Sequence, residues 1–251
     1  MKVNDLATNP FSKHLIELVD VIFSSNKKHS INNNRDSLTD KEKYIIDVFT
    51  FHSKIFEILE SLDYVIIFLK KYNTDEDCYK ENGIDIIKYI KYHLETFAYK
   101  ISTIHDLLFK LINEIYQLNL EEEECNWKHI KKKKKNIMNQ DILICLDCFH
   151  FTFKNLITVR NIIAHNGENP IPDFDELKPY LFLYYHAKNK KGKKYAVTKH
   201  DYLITCQQII KQKEIYENSL WTHIERACSL INLLFSNLEK DFKTKLNSFQ
   251  S

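Results

Sequence analysis

Three features of the sequence predict an all-α fold, an elongated bundle of about five helices. Turn-forming residues are scarce, with 3 Gly and 4 Pro among 251 residues, whereas an all-β fold of this size needs a turn signal about every 8 to 12 positions. Bulky core material is plentiful: 44% of residues are hydrophobic and 28% charged, with 16 Phe and 14 Tyr, a globular rather than disordered balance. Apolar residues also recur at alternating spacings of three and four, most clearly in Ile87, Ile90, Leu94, Phe97, Ile101, Ile104, Leu108, Leu111, Ile115 and Leu118, which is the seam of a helix bundle.

The first helix opens at Asn9-Pro10, where proline is tolerated in a first turn, and runs through Leu15, Leu18, Val19 and Ile22. A polar loop follows over residues 24–37. Thr39-Asp40-Lys41-Glu42 then forms a capping box, in which side chains satisfy the orphan amides of a helix reaching about residue 72. A polar, acidic connection at 73–83 leads to the seam helix at 84–118, about 50 Å long at 1.5 Å per residue. Charged segments at 121–124 and 131–135 connect it to a fourth helix that starts near Asn139. That helix places Ile142, Cys145, Phe149, Thr152, Leu156, Val159 and Ile163 on one face and ends at an Asn166-Gly167 cap.

Pro170, Pro172 and Pro179 break the next stretch. Residues 180–185 and 194–198 flank Asn189-Lys190-Lys191-Gly192, a pattern that predicts a small β-hairpin over 180–198. A last helix over about 203–246 closes the bundle. The whole of 1–251 reads as one domain, with 1–38 an N-terminal helix and loop and 167–202 an irregular or hairpin insertion.

A formal charge of +2 and a pI near 8.1 give no global mandate for nucleic-acid binding, so any basic surface must be local. No run of about 18 apolar residues is present, and Met1-Lys2-Val3-Asn4-Asp5 lacks the apolar core of a secretory signal. The expected compartment is the cytoplasm, without membrane contact. The cysteines Cys78, Cys125, Cys145, Cys148, Cys206 and Cys228 are scattered through helical patterns and read as reduced thiols.

Chemistry concentrates in Arg160-Asn161-Ile162-Ile163-Ala164-His165, in the last turns of the fourth helix. Arginine grips phosphate oxygens through a planar fork, and histidine exchanges protons near neutral pH. Residues five apart on a helix point about 140° apart and lie about 7.5 Å apart along its axis, so one copy makes a poor site. Two copies about a twofold axis would present two arginines and two histidines around one groove. There His165 suits a general acid, Arg160 would neutralise charge on phosphorus-bound oxygens, and the Asn161 amide would position the ribose hydroxyl or the partner histidine.

This segment resembles the R-x4-6-H signature of the HEPN superfamily, which favours a polar residue after the arginine, as Asn161 is. The resemblance extends in architecture over about residues 40–240, since these domains are helical bundles with the signature at the end of a late core helix. His93-Leu94-Glu95-Thr96-Phe97-Ala98-Tyr99-Lys100 and Ile104-His105-Asp106 are also similar in style to stand-alone bacterial HEPN proteins. The resemblance implies a dimeric, metal-independent endoribonuclease whose substrate 2′-hydroxyl attacks the adjacent phosphorus, leaving a 2′,3′-cyclic phosphate and a 5′-hydroxyl. It implies RNA as partner, no cofactor and no metal ligands, and a role as toxin, with an antitoxin, or in phage defence. Glu95 would match the acidic residue that some relatives place beside the signature arginine. Other relatives keep the signature without cleaving, so the alternative is a non-catalytic module that binds RNA, a nucleotide or a protein partner.

The remaining features carry bland readings beside functional ones. Cys145, Cys148 and His150 look like a zinc half-site, but no second cysteine pair follows at finger-like spacing and Cys145 falls on the apolar stripe, so buried thiols are expected. Lysines 131–135, with Lys128 and His129, could meet RNA phosphates, yet the acidic run at 121–124 is near enough in sequence to offset them. A second cluster, Lys188, Lys190, Lys191, Lys193 and Lys194 beside Tyr184, Tyr185 and Tyr195, combines phosphate contacts with base stacking. Because it follows the motif, it is the stronger candidate. His105-Asp106 reads as a packed or polar-face pair.

Overall fold

The computed structural model describes residues 3–25, 35–71, 79, 81–167, 172–188 and 197–249. Among them the regular elements are helical: α1 (Val3–Leu6), α2 (Pro10–Ser25), α3 (Asp40–Lys70), α4 (Ile86–Tyr116), α5 (Trp127–Lys132), α6 (Asp141–Asn166), α7 (Pro172–Asp175), α8 (Lys178–Lys188) and α9 (Lys199–Ser248). Short 3-10 turns sit at Arg35–Ser37, Glu122–Glu124 and Lys134–Asn136.

Local side-chain chemistry sets the helix ends. At the start of α3 the Thr39 amide donates to Glu42 Oε2 at 2.8 Å and the Glu42 amide to Thr39 Oγ1 at 3.3 Å, which is the expected capping box. Asn139 Oδ1 accepts the Asp141 amide at 3.0 Å ahead of α6. The seam helix α4 ends without glycine: Gln117 takes φ +48° and the Leu118 amide reaches Asn113 O at 3.0 Å, with the Leu118 side chain buried behind it. That bond satisfies a carbonyl of the last turn.

The β-hairpin expected over 180–198 does not form, because its first arm is helix α8 and its second arm ends at a helix cap. Phe174, Leu177, Leu181 and Tyr184 are the covered positions, at spacings of three and four, while Tyr180, Phe182 and Leu183 are exposed. A short run of apolar and aromatic residues reads alike as strand or helix until burial shows its period. Thr198 belongs to a second capping box, its amide donating to Asp201 Oδ2 at 2.9 Å and the Asp201 amide to Thr198 Oγ1 at 3.2 Å, so it starts α9. Residues 189–196, between these elements, lie outside the described residues.

The chain divides into two compact units. Unit 1 comprises 1–62, 100–156 and 224–251; unit 2 comprises 63–99 and 157–223. In unit 1, Phe11 packs against Phe235 and Phe242 at ring separations of 5.4 and 5.3 Å. Asn9 ties α2 to α9 by donating to Asn232 Oδ1 at 2.8 Å and Ser236 Oγ at 2.9 Å. Buried Asp241 accepts the Asn139 amide at 3.1 Å and the Tyr116 hydroxyl. Burial, then that carboxylate, raise the Tyr116 hydroxyl above the usual phenol range and keep it a donor. In unit 2, Tyr89 donates its hydroxyl to Phe68 O at 2.6 Å, Phe174 meets Tyr216 at 5.8 Å, and Asp175 holds Lys178 at 2.9 Å and Lys91 at 3.8 Å.

His52 is a deeply buried titratable group of unit 1. Its ring lies 5.2 Å from Phe235 and 4.7 Å from Phe56, and Nε2 shares a hydrogen bond with Ser12 Oγ at 2.9 Å. Nδ1 has no hydrogen-bond partner among the described residues. Burial lowers its pKa from 6.5 to about 4. Below pH 6.5 the unfolded chain therefore binds a proton that the folded chain refuses, so stability falls with pH down to about 4. At pH 5 the loss from this one residue is about 2 kcal/mol. Urea unfolding at pH 7 and pH 5 should show wild type losing more stability than His52→Gln, which cannot titrate; equal losses would mean that His52 ionises freely when folded.

Candidate functional site

α6 changes character along its length. Over residues 141–156 it belongs to unit 1 and buries Ile142, Cys145, Leu146, Phe149 and Phe153. From Ile157 onward it belongs to unit 2, where Ile157, Val159, Arg160, Ile162 and Ile163 are half-buried and Thr158, Asn161, Ala164 and His165 are exposed. Phe151 and Ile144, on the outer side of the first half, are 82% and 58% exposed. An 18-residue window within Asp141–His165 has a mean hydropathy of 1.5 and is 28% buried. Length and composition alone thus make α6 apolar enough to cross a membrane, a test that core helices of water-soluble folds also pass. The average reaches that value although Asp147, His150, Lys154 and Asn155 interrupt any continuous apolar run.

The helix stops at the expected cap. Gly167 adopts φ +73° and its amide donates to Ile163 O at 2.8 Å, a left-handed end that costs glycine nothing and other residues strain. The two turns before it carry the signature. Arg160 Nη1 donates to Asn161 Oδ1 at 3.0 Å. Asn161 lies one turn before His165 and so shares its side of the helix, and the bond draws the guanidinium round toward that side. Within one chain Arg160 and His165 still make no contact with each other. Glu95 is half-buried on α4 in the same unit, but among the described residues Arg160 has no salt bridge. The Glu95 carboxylate acts on Lys91 instead, whose pKa is lowered by burial and by Lys178, against Asp175 and Glu95.

Other sequence candidates disperse. Lys190, Lys191, Lys193 and Lys194 lie outside the described residues, as does the side chain of Tyr185 on α8. Tyr184 stacks on Tyr202 with ring centroids 4.1 Å apart, so one of its faces is already taken. Cys145 is buried and receives Asn237 Nδ2 at 3.7 Å, whereas Cys148 is exposed, so only the first of the pair is the buried thiol expected. Three residues leave an offset of about 60° around a helix, which carries Cys148 past the edge of the stripe that buries Cys145. Among the described residues no cluster of three metal-ligating side chains occurs.

Sequence reasoning missed the partner of His105. Buried His105 lies 4.5 Å from the Phe109 ring, and its Nε2 shares a hydrogen bond with His150 Nδ1 at 3.3 Å. Burial, then His105, lower the His150 pKa. Only the sequence spacing of His105 along the α4 seam hinted at burial; nothing in the chain order links it to His150. A cavity of about 290 Å³ in unit 1 is lined by Tyr116, Met138, Asp241 and Lys245, but its carboxylate is already engaged by Tyr116 and Asn139.

An all-helical architecture with an Arg-to-His signature on the open, capped end of a late helix defines a HEPN-type protein. The chain belongs to the HEPN superfamily: the family model described as Cthe2314-like HEPN matches residues 48–239, which include the whole signature. No curated protein and no solved structure matches the chain.

The cap is open to test. Beyond its own helix and chain neighbours, no atom of the described residues lies within 4 Å of a Cβ built on Gly167, so a side chain there meets mainly conformational cost. Gly167→Ala should lower stability by about 1 kcal/mol, and Gly167→Asn by less. A neutral Gly167→Ala change in urea unfolding would show that the left-handed end does not hold α6.

Proposed function

We propose that this protein is a dimeric, metal-independent endoribonuclease that cuts single-stranded RNA in the cytoplasm, in phage defence or as a toxin restrained by an antitoxin. One observation carries the reading: within a HEPN chain, Arg160, Asn161 and His165 sit together on an open helix end, with His165 exposed and the Arg160 fork bonded to Asn161. Cleavage forms a bond from the ribose O2′ to phosphorus and breaks the bond to O5′. One group removes the 2′-hydroxyl proton and another protonates the departing O5′. His165 of each copy fills one of these roles, and Arg160 offsets charge on the non-bridging oxygens. The half-open apolar residues Ile157, Val159, Ile162 and Ile163 favour a second copy beside the signature, since isologous pairing would cover them and unite two half-sites.

The second reading is a HEPN module that binds RNA, a nucleotide or a protein without cutting. It is favoured by the absence of any contact between Arg160 and His165 within one chain.

Cleavage should survive EDTA and spare DNA of the same sequence, because the 2′-hydroxyl is the nucleophile. His165→Ala should slow cutting by about two to four orders of magnitude with a smaller loss in affinity. Arg160→Ala should weaken both rate and binding, since the guanidinium holds phosphate before and during reaction. Gel assays with 3′-end analysis read these outcomes. Cleavage abolished by EDTA, or undiminished in His165→Ala, would sink the mechanism, and RNA binding without product would install the second reading.

A further inference from the structure

The lysines at 128 and 131–135 belong to unit 1, whereas the signature belongs to unit 2. All six are exposed. They do not dangle: Asn126 Oδ1 caps α5 by accepting the His129 amide at 3.3 Å, and the buried side chains of Ile130 and Ile137 anchor the segment on both sides. Lys131 and Lys132 lie about one turn after Lys128 on α5, and Lys134 and Lys135 continue on the 3-10 turn behind it.

The acidic run that could offset this charge forms no salt bridge with these lysines among the described residues. Glu122 pairs with Lys110, and the Glu124 carboxylate accepts the Glu121 amide at 3.4 Å. Lys131 reaches Asp147 at 3.7 Å, and its ammonium lies 4.2 Å from the centre of the Trp127 ring. Lys128, Lys132, Lys133, Lys134 and Lys135 have no salt bridge among the described residues. One or two cations are enough to complement the carbonyl end of a six-residue helix. The others raise self-repulsion unless a polyanion lies across them.

We propose that this lysine surface binds the phosphate backbone of single-stranded RNA without regard to sequence. A row of separate ammonium groups suits a strand of phosphates better than one compact anion. A single half-buried indole is too little apolar area for adsorption to a lipid surface, which needs a broad hydrophobic face or a second anchor. The assignment does not rest on the cleavage reading.

The test uses a fluorescent 2′-O-methyl oligouridine, which lacks the attacking hydroxyl and reports binding alone. Anisotropy titrations over a range of KCl concentrations would compare wild type, the triple variant Lys132→Gln, Lys133→Gln, Lys135→Gln, and a charge-matched control, Lys13→Gln, Lys211→Gln, Lys240→Gln. Removing one lysine–phosphate interaction should flatten the slope of log K against log salt by about 0.7, so the surface triple should lose about 2 in slope while the control keeps the wild-type value. Circular dichroism and melting of both triples establish that they fold. Equal effects of the two triples, an unchanged slope in the surface triple, or wild type that binds anionic vesicles but no oligouridine would overturn the proposal. Loss of binding in the surface triple while wild type cuts no RNA would uphold the surface and remove only the cleavage reading.

Discussion

The burial of α6 ends in unit 1 with Phe153, and everything the signature can do depends on that change. A helix packed on its apolar stripe to the end would enclose Val159 and Ile163 and hold the neighbouring polar groups against a core, where a reacting phosphate has no access. Here the last turns are half-covered, His165 is open, and Gly167 stops the helix one residue after Asn166. The same opening leaves aliphatic surface in water, at a cost that grows with area. A second copy that covers this surface would remove that cost.

Polar groups buried in unit 1 follow a different logic. Asp241 is tolerated because Tyr116 and Asn139 donate to it from two other elements, which registers α9 against the end of α4 and the approach to α6. His52 is tolerated because it stays neutral among aromatic rings with Ser12 on one nitrogen. Unpaired buried polarity is expensive, as at His52 Nδ1, whereas the satisfied Asp241 network admits few alternative packings. These residues therefore specify arrangement rather than chemistry.

Net charge conceals the electrostatics of the chain. A formal +2 is the balance of 36 Lys and Arg against 34 Asp and Glu along the chain, among them an acidic run and a lysine run that lie close in sequence yet form no salt bridge with each other among the described residues. Glu122 pairs with Lys110 on α4 and Lys131 reaches Asp147, which leaves the lysines at 128 and 132–135 without a salt bridge among the described residues. Screening erases distant exposed charges within about 10 Å at ordinary salt, so what matters for a polyanion is the local row.

The sequence by itself determined the helical class, the capping box at Thr39, the left-handed stop at Gly167 and the signature at Arg160, Asn161 and His165. Each of these rests on interactions between residues a few positions apart, or on one backbone conformation that a residue type permits. Tertiary structure alone decided the rest. The run at 180–185 became helix because Leu181 and Tyr184 find cover at helical spacing, and Thr198 turned from a strand residue into a cap through Asp201. Cys148 faces out while Cys145 faces in, His105 meets His150 from another helix, and Glu122 chooses Lys110 over the lysines that follow it in the chain. Sequence order cannot settle such pairings, because the free energy that selects a partner across the fold is set by burial and by which side chains other elements bring within reach.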